Sequence, residues 1–488
     1  MSAIKPDPND PEFFDVVIVG AGLSGINCAY RLMKQQPGTS FVILDGRDSI
    51  GGVWDQFRYP GVRSDSQIYT YGLSWHRWPF TKPIAEGSEI MEYLHDAVSK
   101  YHIDDHVRFR HKVSKIDWSS QRQEWRVTAD HQGQPRRYLA RWIIMGTGYV
   151  DYESPIEPDI PGLDNFKGRV VHPQSWPEGF HYANQRMALI GSGATAVSLL
   201  PAIAKEAGQV TMVQRSPTYV VASPSQSDRT PFWLPQGLFL AWRWLYWLIR
   251  PYLLVLLANR YPNFVRQGLT AGAAKELPAN VPVDPHFTPR YDPWRQRICL
   301  DPNAAFFKAF HRPNVSLITG EIAAVTDHGI RMRDGETMDL DVIITATGHR
   351  MVLGGRIDIR VDGKNLGWGG RFVWNGCMLD GVPNMMFMLG YTNHSWSLGS
   401  DNTAMYLVRL MSHMKRLGAR SAVPRVPEAV ATRGTQSIWQ LDSTYVREVK
   451  GRLPVCGNAG PWKPKNRPPI DWLYARWGNT TADLEFSM

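Results

Sequence analysis

The sequence predicts an α/β fold made of two similar parallel-sheet units, and three observations predict it. Short apolar runs at 16–19, Phe41–Leu44, 187–190 and Val342–Thr345 are bounded by glycine or acidic residues, as buried parallel strands tend to be. The first and third run directly into glycine-rich turns, GAGLSG and GSGATA, each followed by an apolar stretch of helical period. This strand–turn–helix unit therefore occurs twice, its copies about 170 residues apart. Each unit is Rossmann-like, and a length of 488 residues accommodates both with a sizeable core.

The proline-rich stretch 155–161 reads as a linker, and a return near Asp341 brings the chain back to the first unit. Residues 11–155 and 341–488 are thus expected to form one dinucleotide-binding domain with a C-terminal region. Residues 156–340 form a second such domain inserted into it, with an apolar helical insertion at about 229–275.

Composition narrows the function classes. Hydrophobic residues at 43% and charged residues at 20% describe a globular chain, not a disordered one. Against 45 acidic residues stand 54 Lys and Arg, a net charge of +9. There is no Lys/Arg block, zinc-ligand spacing or RNP-like signature, so nucleic acid is not the expected partner. Cys28, Cys299, Cys377 and Cys456 stand far apart, which argues against a disulfide scaffold, a metal site and a C-x-x-C redox centre. HExxH, P-loop and G-x-S-x-G motifs are absent. The polar, Pro- and Asp-rich amino terminus does not read as a secretory leader, so a cytoplasmic location is expected.

The first glycine turn carries Gly20, Gly22, Ser24 and Gly25 between the strand at 16–19 and a helix expected at 26–34. The first glycine permits the tight turn, the second admits a pyrophosphate to the backbone, and the third packs helix on strand. Asp45 closes the next strand, 20 residues after Gly25, where a carboxylate accepts hydrogen bonds from ribose hydroxyls. The second turn repeats this with Gly191, Ser192, Gly193 and Thr195, Ala196 replacing the third glycine. Its following strand ends in Arg215 and Ser216 instead of an acid. An arginine and a hydroxyl bind a ribose 2′-phosphate that an acid would repel, so this unit prefers NADPH to NADH. Two such sites point to FAD plus NADPH, with hydride passing to the flavin. A disulfide reductase would need a cysteine pair beside the flavin. None is present, which leaves dioxygen as the electron acceptor.

Between the two turns, Phe166, Gly168, His172, Trp176 and Pro177 spell FxGxxxHxxxWP. This resembles the fingerprint of Baeyer–Villiger monooxygenases, the class B flavoprotein monooxygenases, and the resemblance extends from Asp15 to about Phe486. RSDS, IGSGATAV and QRSPTY bring it nearest to the compact bacterial group that includes ethionamide-activating mycobacterial enzymes.

The resemblance implies a family mechanism. An oxygen atom enters a ketone through a flavin peroxide, giving an ester or lactone, and sulfur is oxygenated by the protonated form. It implies that Gly52, Val53, Trp54 and the 58–65 stretch contact flavin, and that His172 couples the domains without transferring protons. It aligns Arg297 with the family's active-site cation and Asp65 with the acid that orients it. Arg295 stands two residues away as the nearest rival, and Gln296 replaces the lysine many relatives carry. The competing readings are an N- or S-hydroxylating flavin monooxygenase and a membrane-associated flavoprotein that oxygenates nothing.

One segment is out of character. Residues 232–261 are the most apolar in the chain, but the longest charge-free run, 230–242, is shorter than the roughly 18–20 residues a bilayer span needs. Gln236, Arg243 and Arg250 recur every seven residues, predicting a nearly all-apolar helix with one narrow polar stripe. Between Arg229 and Lys275 lie six basic residues, ten aromatics and no acid. Two readings follow: a wall of a pocket for a lipophilic ketone or thioether, or a face in peripheral contact with a membrane.

Overall fold

The computed structural model describes residues 10–79, 82–224, 235–439, 441 and 443–488. The part of the apolar segment at 229–234 lies outside them.

The first sheet is centred on the strand Glu12–Val19, which pairs in parallel with Phe41–Leu44 on one side and Gln134–Met145 on the other. Val16, Val17 and Ile18 are fully buried, because a parallel strand at the centre of a sheet has no solvent face. The 12-residue strand Gln134–Met145 serves two neighbourhoods. It continues the parallel sheet and also pairs antiparallel with Glu124–His131, which pairs with His111–Ser119. Met385–Phe387 returns late in the chain to pair with its outer edge. The second sheet is wholly parallel, in the order Val315–Thr319, Gln209–Gln214, Arg186–Ile190, Val342–Thr345, Arg169–Val171.

That order moves one expected boundary. The strand Val342–Thr345 belongs to the second sheet, so the return to the first unit follows Thr345 and does not begin near Asp341. Its four residues are buried between two parallel partners, a place only an uninterrupted apolar run can fill. The two crossing segments then lie side by side: Val150 bridges Met351, and the Asp151 N–H donates to the Arg350 carbonyl at 2.9 Å.

The first helix, Leu23–Gln35, starts three residues earlier than its apolar period suggested, with Gly22 as its N-cap. It packs along the helix Trp396–Leu417, where Arg31 meets the Asp401 carboxylate at 2.9 Å and the Asn27 amide donates to it at 3.2 Å. The apolar segment forms the helix Gln236–Arg260, followed at once by Pro262–Glu276. Only Phe239, Leu248, Val255 and Ala258 of the first are buried, at the spacing of one helical stripe. The anticipated polar stripe does not form: Arg243 turns inward over the Tyr69 ring at 4.0 Å, while Gln236 and Arg250 stay exposed.

Candidate active site

The segment 58–65 straps the two units together. Buried Tyr59 hydrogen-bonds through its hydroxyl to Ser198 and Thr195 on the helix Ala194–Ile203. Gly61 lies so close to that helix that a Cβ there would stand 2.4 Å from the Ser198 carbonyl. Gly61 also has φ +78°, so glycine is required twice over. Arg63 reaches toward the fully buried Asp301 at 3.8 Å. Burial pushes the Asp301 carboxyl up to about 6, against the opposing N–H groups of Phe306 and Phe307. Much of the stretch expected to contact flavin is therefore engaged with the second unit.

Asp65 and Arg297 end this strap. The guanidinium meets the carboxylate twice, Nε to Oδ2 and Nη2 to Oδ1, both at 2.9 Å, and Nη2 also donates to Ser66 Oγ at 2.9 Å. Both side chains are about one-third exposed, so the pair faces an open space while its donors are held. Arg297 is positioned by the strand Cys299–Pro302, which pairs in parallel with Val220–Ser223 beyond the second unit's Arg215. Arg295, in contrast, lines the neighbouring cavity beside Trp294.

Each glycine turn meets a second turn. A Cβ on Gly20 would lie 2.6 Å from the Gly146 carbonyl, and one on Gly191 would lie 2.2 Å from the Ala346 carbonyl. Gly22 packs against Gly52, where a Cβ on Gly22 would lie 3.7 Å from the Gly52 Cα, and no side chain caps the helix that follows. Asp45 is buried against its own turn, accepting from the Ala21 N–H at 2.6 Å and the Arg47 N–H at 2.9 Å. Ser24 Oγ accepts from the Trp396 indole at 3.3 Å. Trp54, next to Val53, donates its indole N–H to the Tyr71 hydroxyl at 2.6 Å. In the second unit, Gly193 caps the helix Ala194–Ile203 with nothing near its missing side chain. Ser192 donates to the Ser216 carbonyl at 2.8 Å, and Arg215 stands exposed at the end of its strand.

The FxGxxxHxxxWP residues divide. Phe166, Gly168 and Trp176 are packing: a Cβ on Gly168 would meet the Phe166 ring at 2.5 Å, and Trp176 stacks edge-on with Phe180 at 5.5 Å. Pro177 closes that turn, its carbonyl accepting from the Phe180 N–H at 3.3 Å. His172 sits at the double crossing. Its Nδ1 accepts from the Gln174 N–H at 3.1 Å, so Nε2 carries the proton. Burial lowers its pKa despite the nearby Gly348 backbone, and Nε2 makes no hydrogen bond among the described residues. Gln174 completes the junction, donating to the Asp151 carbonyl at 2.6 Å and facing His349 at 3.3 Å. Sequence reasoning placed Tyr59 and Arg63 in a flavin-contacting stretch without their contacts to the second unit, and it missed Gln174, Asp301 and His349. Only the fixed RYPG turn and the positions flanking His172 could have signalled them.

A cavity of about 410 Å³ opens between the two units, lined on one side by Leu389, Trp439, Leu441 and Val446 and on another by Trp294 and Arg295. Val255 and Asn259 of the apolar helix also line it, while Phe239, Leu248 and Ala258 of the buried stripe do not. All four cysteines are buried and free, and burial pushes the Cys299 thiol up to about 12. No thiolate is therefore available there near neutrality.

These features can be set beside known proteins. A family model described as "Pyridine nucleotide-disulphide oxidoreductase" matches residues 17–229. The FAD-containing monooxygenase EthA of Mycolicibacterium smegmatis is 38% identical, over 96% of this chain and 95% of that protein. The probable FAD-binding monooxygenase AlmA of Acinetobacter baylyi is 35% identical, over 93% and 91%. Among solved structures, an oxidized steroid monooxygenase bound to NADP superposes with a TM-score of 0.78 at 22% identity, over 97% of this chain and 99% of the other. A cyclohexanone-bound cyclohexanone monooxygenase superposes at 0.74 with 23% identity, over 98% and 100%. The protein is a class B flavoprotein monooxygenase with the two-unit fold of the Baeyer–Villiger enzymes. Within that class, it belongs to the family of FAD-containing monooxygenases that includes EthA, MymA and AlmA.

Proposed function

We propose that this chain uses NADPH and O2 to insert one oxygen atom into a lipophilic ketone, giving an ester or lactone, and that it also oxygenates thioethers. The observation that carries this reading is the doubly bonded Arg297–Asp65 pair, partly open to solvent and two residues along the chain from Arg295 in the cavity wall. One oxygen atom of O2 enters the substrate and the other leaves as water, with NADPH supplying the two electrons.

The residues present fit both cofactors. The bare backbone that Gly22 and Gly52 present side by side and the uncapped helix N-terminus suit the FAD pyrophosphate. Asp45 keeps lone pairs for a ribose while it braces the turn. Open Gly193, with Thr195, Ser216 and Arg215 around it, suits the NADPH phosphates. Bound FAD supplies the redox centre that NADPH reduces and that activates dioxygen. Arg297 supplies fixed positive charge where an oxyanion develops on the substrate carbonyl, and Asp65 holds it in place before the reaction begins. The apolar cavity wall of Leu389, Leu441 and Val446 excludes water, which would divert oxygen to hydrogen peroxide.

Product analysis with ketone and thioether panels, NADPH in excess, tests this reading. Ester or lactone formed in proportion to NADPH consumed is the expected result. NADPH consumption yielding only hydrogen peroxide with every ketone and thioether would overturn it.

A further inference from the structure

Large apolar side chains are not spread evenly over the surface. Of 17 that are exposed among the described residues, ten lie between Leu238 and Phe264 and three more, Ile470, Leu473 and Trp477, on the helix Pro468–Trp477. The two regions adjoin, with the Trp244 and Trp472 rings 5.2 Å apart. Phe264 and Trp477 are 68% and 70% exposed, so neither has found a core. A concentrated apolar face of this kind marks an interaction surface.

Its geometry and charge select the partner. Trp242, Leu245, Leu253, Leu256 and Leu257 recur along one side of a 25-residue helix that is about 37 Å long. Among the described residues no helix is long and apolar enough to cross a membrane, which leaves this one to lie flat. No acidic residue occurs from 229 to 275. Of the cations there, Arg266 is paired with Asp292 at 2.6 Å and Arg243 is turned onto Tyr69. Arg250, Arg260 and Lys275 remain at the surface, Arg250 against the Trp247 ring at 5.1 Å and Arg260 against Tyr261 at 4.9 Å. Of the two acids in these three helices Asp471 is buried, so a second copy would bring the three cations against themselves with Glu276 alone to receive them. Anionic lipid headgroups receive them, while the apolar side chains enter the acyl boundary.

We propose that the face formed by the helices Gln236–Arg260, Pro262–Glu276 and Pro468–Trp477 docks on an anionic bilayer surface. The same helix presents Val255 to the cavity, so docking sets the cavity beside the lipid. Binding to vesicles requires no turnover, so this inference stands or falls separately from the reaction proposed above.

Flotation of the flavin-loaded protein tests it, with vesicles of phosphatidylcholine alone or mixed with phosphatidylglycerol. The wild type is expected to float with the mixed vesicles, less at high salt and less with phosphatidylcholine alone. Arg250→Gln with Arg260→Gln should weaken partitioning onto mixed vesicles about thirtyfold, at about a factor of five per basic residue removed. Phe264→Ser with Trp477→Ser should weaken it on either vesicle, with melting temperature and flavin content unchanged. Wild-type protein that stays unbound with both vesicles overturns the proposal, as does flotation unaffected by either pair. A wild-type dimer that the Phe264→Ser, Trp477→Ser protein converts to monomer would show a self-interface instead, and also overturns it.

Discussion

Arg297 and Asp65, 232 positions apart in the chain, form a two-point ion pair with both contacts at 2.9 Å. Asp65 comes from the strap leaving the first unit and Arg297 from the strand entering beside the second. The pair therefore exists only when the two units are correctly apposed. A guanidinium fixed by two parallel contacts cannot swing away, and fixed charge is what a developing oxyanion needs.

Removing the cation should separate reduction from oxygenation. Arg297→Ala is expected to retain bound FAD and to oxidise NADPH, while product per NADPH consumed falls about a hundredfold or more. Asp65→Asn, which keeps an acceptor but loses the charge, should fall between that variant and the wild type. Product yield beside NADPH loss and hydrogen peroxide provides the measurement; a wild-type yield from Arg297→Ala would remove the role assigned to it.

We propose that nucleotide choice rests on Arg215, which stands exposed just after the strand Gln209–Gln214. Arg215→Ala should raise the KM for NADPH by roughly 30-fold, the scale of one charge-assisted hydrogen bond, and leave NADH almost unchanged. Steady-state kinetics with both nucleotides checks this, and equal losses would contradict it.

Asp301 is a structural anchor. It is fully buried, receives backbone N–H groups from Phe306 and Phe307, and stands 3.8 Å from Arg63. Asp301→Ala leaves all three without their acceptor and should cost about 3 kcal/mol of stability. Asp301→Asn keeps one oxygen acceptor and should cost less. Denaturant unfolding of the three proteins, followed by tryptophan fluorescence, measures the difference.

Acid stability should reflect His394. Its Nδ1 accepts from the Ser395 N–H at 2.8 Å and its Nε2–H donates to the Leu248 carbonyl at 3.2 Å, so the ring is held neutral. Burial is the main reason its pKa falls to about 4, below the ordinary value near 6.5. The unfolded chain binds this proton first as pH falls. The stabilisation is complete above about 6.5 and is lost progressively toward pH 4, on the order of 3 kcal/mol in all. His394→Gln should flatten the fall in melting temperature across that window. Because His394 holds the apolar helix through Leu248, flattening should accompany reduced acid-induced exposure of that helix to limited proteolysis.

The reach of sequence reasoning follows the distances over which its signals act. Gly25 was legible because its own turn leaves no room for a Cβ, whereas the backbone that crowds Gly20 and Gly191 comes from Gly146 and Ala346, more than 100 residues away. Phe166, Gly168 and Trp176 were legible as a pattern whose resemblance already gave His172 as coupling the domains, yet the pattern did not reveal that the other three pack. The apolar helix was legible as a helix. Its polar stripe was misjudged because Tyr69, far away in sequence, offered Arg243 a ring to cover.

By itself, then, the sequence determined two strand–turn–helix units, the acid and the arginine that follow their second strands, and an apolar helix. These are features of local backbone geometry and side-chain spacing. Tertiary structure alone decided that Val342–Thr345 joins the second sheet, that Arg243 covers the Tyr69 ring, and which side of the helix Gln236–Arg260 faces outward. Burial of apolar surface is non-directional, so it commits a strand or helix face only when the rest of the chain supplies the surface opposite.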